Sequence, residues 1–183
     1  VATGEILHFL NSDDYYIDDS PLETVISQFG ENKEVVISPV KMVDTEENFL
    51  YDFSSNINDP FKCIPHQGFY YKKTLHDTYG MYSLFLKYAS DYNFYLRLRK
   101  SNINTIEISE PTVCMQEGGA GVSEGLLVLC ELFYVQVRNN LSFFKAFRKF
   151  IFLLLRNRIR VVIENIFISS SIYKLRFYFR KNK

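Results

Sequence analysis

Apolar residues come in short blocks over the amino-terminal part of the chain and in helical steps over the rest. Glu5 to Leu10 (EILHFL) is a nearly continuous apolar run that stops at Asn11-Ser12-Asp13-Asp14, which predicts a buried strand feeding a polar loop. Glu34 to Val43 (EVVISPVKMV) predicts a second strand, with Pro39 marking a bulge or an edge. Between them Ser20-Pro21-Leu22-Glu23 spells a helix start, with Ser as cap and Pro at the first helical position, and Gly30 is its stop. Residues 44–65 are polar, hold Pro60 and Pro65, and predict mostly connection. Gln67 to Tyr71 predicts a strand, followed by a short helix that Gly80 ends. Ser90-Asp91 opens a helix to about Lys100, with Phe94, Leu96 and Leu98 for the core. Asn104–Ile108 and Thr112–Met115 predict short strands around Pro111, and Gln116–Val122 is a glycine-rich loop.

From Ser123 onward the period changes. Leu126 to Val137 is apolar nearly all round and predicts a buried helix. Phe143, Phe144, Phe147, Phe150, Ile151, Leu154 and Leu155 then share one helical face, with Lys145, Arg148, Lys149 and Arg156 on the other and Phe152 the exception among them. Strands and helices alternating, then helices alone, predict an α/β body over residues 1–122 and a helical, basic tail over 123–183.

An apolar content of 47% in 183 residues excludes the disordered and collagen-like classes. The zero net charge hides a strong asymmetry. Residues 1–144 carry 10 Lys+Arg against 20 Asp+Glu, whereas residues 145–183 carry 11 Lys+Arg against Glu164 alone. A tail of net charge +10 with an apolar face points to an anionic membrane surface as partner, or else to docking of that face on the body. No apolar run approaches the roughly 20 residues of a spanning helix, and no signal peptide is visible. Cys63, Cys114 and Cys130 are widely spaced and odd in number, which argues for a reducing compartment and against a disulfide framework.

Each of four segments has a chemical and a plain structural reading. Asp13 and Asp14 at the end of a strand suit a hard divalent cation, yet Asn, Ser and Asp also make ordinary turns. Asp91 at a helix start is either a carboxylate fixed in direction for catalysis or a partner of the helix dipole beside a Ser90 cap. His66-Gln67 offers a hydrogen-bonding pair to a sugar hydroxyl or phosphate, or is a satisfied loop. Gly118-Gly119-Ala120-Gly121-Val122-Ser123 lacks the Lys of a phosphate-binding loop, and is either a lid or the approach to a Ser123 cap. His8 and His76 have no partner at metal-ligand spacing and receive no role.

The order GEILHFLNSDDYY, HQGFYYKKTL…YG, ASDYNFYLRL and EGGAGVS resembles the family 2 glycosyltransferases, especially those of bacterial surface-polysaccharide synthesis. The resemblance covers roughly residues 1–124. It implies an incomplete GT-A (Rossmann-like) mixed sheet with flanking helices, the carboxyl-terminal part of a longer enzyme whose amino-terminal nucleotide-binding half precedes it. The implied activity is inverting transfer of a sugar from a nucleotide-diphosphate sugar to a saccharide or lipid-linked acceptor hydroxyl. Asp13 and Asp14 would hold Mg²⁺ or Mn²⁺, with Asn11 standing where the family's Asp-x-Asp motif has its first Asp. Asp91 would be the general base. Asn11, His66, Gln67, Gly118, Gly119 and Ser123 would line the substrates. The implied location is cytoplasmic and peripheral on the inner face of the plasma membrane, with no nucleic-acid partner. A metal-dependent nucleotidyltransferase and a non-catalytic membrane-associated binding protein are the alternatives.

Overall fold

A computed structural model describes residues 2–18, 21–30, 32–117 and 125–166. Its elements in chain order are β1 (Ile6–Leu7), β2 (Tyr15–Tyr16), α1 (Pro21–Gln28), β3 (Val35–Ile37), β4 (Val40–Val43) and β5 (Phe49–Phe53). A 3₁₀ turn (His66–Gly68) follows, then β6 (Phe69–Lys72), α2 (Leu75–Tyr79), α3 (Ser90–Lys100), β7 (Thr105–Glu107), β8 (Val113–Gln116), α4 (Gly125–Arg138) and α5 (Phe143–Ile166).

The strands form two four-stranded mixed sheets, in the orders β1-β6-β3-β7 and β2-β8-β4-β5. In the first, β3 runs antiparallel to β6 and parallel to β7. In the second, β4 runs parallel to β8 and antiparallel to β5. The fold class is therefore mixed α/β with a helical carboxyl-terminal region, consistent with a partial GT-A-like fold.

The apolar run 34–43 is not one strand. It splits at Ser38-Pro39 and sends Val35–Ile37 to one sheet and Val40–Val43 to the other. Proline lacks the amide that a continuous ladder needs, so the chain crosses between sheets there. Its neighbour Ser38 donates its amide to the Gly68 carbonyl at 2.8 Å instead. The polar stretch 44–65 holds a strand that composition concealed, since β5 is an edge strand with Phe49 and Tyr51 exposed. The expected buried strand 5–10 shrinks to two half-buried residues, and Phe9 and Leu10 turn outward.

The main core lies between β3, β6 and α3, where Val35, Ile37, Phe69, Tyr71, Tyr92, Phe94 and Leu98 are buried. Helix α3 occupies the expected residues because its 3.6-residue period carries Tyr92, Tyr95 and Leu96 inward as well. Ser90 does not cap it: the cap residue is Ala89, and the Ser90 hydroxyl donates to the Ser83 carbonyl at 3.1 Å. Gly80 ends α2 with φ of 77°, in the left-handed region that favours glycine.

Helix α4 is not buried all round. Val135 and Gln136 face the core, while Leu126, Leu127, Tyr134 and Val137 stay exposed. Helix α5 keeps the expected apolar and basic faces, but its apolar face is only partly covered: Phe150, Ile151 and Leu154 are half-buried, whereas Phe144, Phe147 and Leu155 are exposed. No helix among the described residues is long and apolar enough to cross a membrane.

Candidate active site

The turn His66–Gly68, directly before β6, is where the predicted residues meet. Its position is set by steric fit: a Cβ on Gly68 would lie 2.1 Å from the Ser38 carbonyl oxygen, so only glycine allows this approach. The two residues before Gly68 then point to different carboxylates. His66 Nδ1 lies 3.2 Å from Asp91 Oδ2 at the first turn of α3. Gln67 Nε2 donates to Asp14 Oδ2 at 2.5 Å.

Asp14 is buried, and its other oxygen accepts the Gln116 backbone amide at 3.1 Å. Burial pushes its carboxyl above the usual range, against the hydrogen bonds from Gln116 and Gln67 that hold it down. The carboxylate thus ties the Asn11–Asp14 turn, closed by the Asp14 amide on the Asn11 carbonyl at 3.2 Å, to the ends of both sheets. Asn11 and Asp13 are both exposed, but the Asn11 side chain also hydrogen-bonds Asp14, so Asp13 is the open one. The expected acidic pair is therefore unequal: Asp13 is open and Asp14 is an anchor.

Gln67 is 1% exposed, and its Oε1 is buried with no hydrogen-bond partner among the described residues. A buried acceptor left unmade costs stability, which the Gln67 Nε2 contact to Asp14 offsets. Gly118, Gly119 and Ser123 lie outside the described residues.

Sequence reasoning missed His8. Its Nε2 lies 2.7 Å from the Gln67 carbonyl and its Nδ1 3.0 Å from the Tyr16 hydroxyl, and its ring stacks on Tyr70 at 4.1 Å. A carbonyl only accepts, so Nε2 carries the proton and Nδ1 takes the one from Tyr16. Burial lowers the pKa of His8, and His66 nearby adds to that, which keeps the ring neutral. The only signal was a histidine inside an apolar run.

Phe9 next to it lies with its ring 6.5 Å from His66 and 5.5 Å from Tyr82. The open rim of the site is thus aromatic beside the His66–Asp91 pair.

Among the described residues no group of three or more His, Cys, Asp or Glu is placed to hold a metal. An open Asp13 beside an engaged Asp14 fits an ion that takes its other ligands from substrate phosphate and water, as Mg²⁺ commonly does.

No family model matches the chain, and no curated protein matches it. Solved structures do. One is the crystal structure of Staphylococcus aureus TarS residues 1–349, with a TM-score of 0.53 at 14% identity over 93% of this chain. TarS is a wall teichoic acid glycosyltransferase. The match covers 52% of the TarS chain, so this chain spans about half of its length. The likeness is one of fold.

Proposed function

We propose that the chain carries the metal and acceptor side of an inverting glycosyltransferase. It moves a sugar from a nucleotide-diphosphate sugar to an acceptor hydroxyl in polysaccharide or glycolipid synthesis. The observation that carries this reading is the His66–Gly68 turn, which links Asp91 through His66 and Asp14 through Gln67.

Sugar transfer needs a base at the attacking hydroxyl and charge stabilisation at the departing diphosphate, on opposite sides of the anomeric carbon. Asp91 takes the acceptor proton as the acceptor oxygen bonds to that carbon and the bond to the diphosphate oxygen breaks. The nucleoside diphosphate leaves with the electron pair. The His66 ring, 3.2 Å from Asp91, aims the carboxylate. Mg²⁺ or Mn²⁺, when bound, neutralises the diphosphate; Asp13 would hold it, with Asp14 fixing the loop that presents Asp13.

The test is release of nucleoside diphosphate from a panel of nucleotide sugars by the intact gene product, with Mn²⁺ and with a chelator. Release that needs both metal and acceptor supports the reading. Release of pyrophosphate, or none with any donor, sinks it.

A further inference from the structure

The segment between α2 and α3 puts its most apolar residues in the least expected place. Ser83–Leu86 closes a turn, with the Leu86 amide 3.4 Å from the Ser83 carbonyl. At its tip Leu84 and Phe85 are 99% and 98% exposed. Turn tips ordinarily carry Gly, Asn, Asp, Pro or Ser.

This turn is held on both sides. Arg97 Nη2 donates to the Met81 carbonyl at 2.7 Å before the tip. Behind it, the Glu131 carboxylate of α4 accepts the amides of Lys87, Tyr88 and Ala89 at 2.9, 2.7 and 3.0 Å. The body thus presents two bare apolar side chains on a fixed support, a form that fits docking better than chain slack does.

The charge pattern of the helical layer says what the surface meets. Along α5 the exposed residues Phe144, Arg148, Phe152 and Arg156 follow one another at four-residue steps on one row. Apolar side chains interleaved with cations, and no acid in the row, suit an interface between anionic headgroups and acyl chains. A second copy would bring the same cations against each other. Residues 145–183 carry a net charge of +10 against −10 over residues 1–144, so the α5 row is the part that such a surface attracts, while the uncharged Leu84 and Phe85 contribute apolar area alone.

We propose that the Leu84–Phe85 tip and the Phe144–Arg156 row of α5 form a docking surface for an anionic lipid bilayer. The tip inserts and the row supplies the charge. Asp91, in the first turn of the helix that this segment enters, is then held near the membrane plane, where a lipid-linked acceptor would present its hydroxyl.

The test is co-sedimentation of the full chain with phosphatidylcholine vesicles with and without phosphatidylglycerol, without donor or acceptor. The variants are Leu84→Ser/Phe85→Ser and Arg148→Gln/Arg156→Gln. Circular dichroism and thermal unfolding serve as fold checks, because these side chains project into solvent. The wild-type chain is expected to pellet with anionic vesicles and not with neutral ones, and salt should weaken the binding. Each double variant should lose about tenfold or more in partitioning. Equal partitioning of the tip variant and wild type overturns the proposal. So does equal pelleting with both lipids, or a tip-dependent dimer in sedimentation without vesicle binding. Vesicle binding by a protein that transfers no sugar would overturn the proposed reaction and leave this surface standing.

Discussion

Three residues in a row, His66, Gln67 and Gly68, decide whether there is a site at all. Gly68→Ala drives a methyl into the Ser38 carbonyl, which is backbone and cannot swing away. A destabilisation of about 1–3 kcal/mol is expected, a fall of several degrees in thermal unfolding. A second residue-scale test uses His8, whose pKa is lowered by burial. The unfolded chain takes up a proton near pH 6.5 and the folded chain only below that, so the folded form loses stability as pH falls from about 7 toward the lowered value. The stability difference between wild type and His8→Gln should shrink over that window. A difference independent of pH would mean that His8 is not held neutral. The candidate residues Asp13, Asp14, His66, Gln67 and Asp91 were legible because each sits where a strand or helix begins or ends. His8 was not, because its partner Gln67 lies 59 positions away and only folding brings the two together.

Elements were legible where one local signal sufficed. Helix α3 shows its period, and α2 shows its glycine stop. The β3–β4 break was not, since a proline between apolar runs reads the same for a bulge, an edge or a change of sheet. Helix α4 was misread for a related reason: composition shows that a helix is apolar but not how much neighbouring surface exists to cover it. Three successive amides at the entry to α3 are held by a single carboxylate on α4. Glu131→Gln replaces one acceptor oxygen with an amide that must face the N–H groups of residues 87–89. A cost of about 1–3 kcal/mol is expected. Hydrogen exchange should speed up at those amides and stay unchanged at Phe69–Lys72. Faster exchange everywhere, or nowhere, would contradict the local role.

Over the whole molecule, two sheets and α3 converge on the His66–Gly68 turn, while the basic helical layer lies to the other side of the chain's charge division. Metal dependence separates the acidic pair. Asp13→Asn should weaken Mn²⁺-dependent donor binding in calorimetry while leaving unfolding unchanged, and Asp14→Asn should lower stability even in chelator because it breaks the tie to Gln67 and Gln116. Equal behaviour of both variants would remove the distinction between open ligand and anchor. The central claim rests on Asp91. The most direct measurement is turnover of the intact gene product with Asp91→Asn, which keeps an oxygen for His66 and the shape of the first turn of α3. A loss of about 10²–10⁴-fold in nucleoside diphosphate release, with donor binding retained, is the predicted result; turnover within about tenfold of wild type would contradict it.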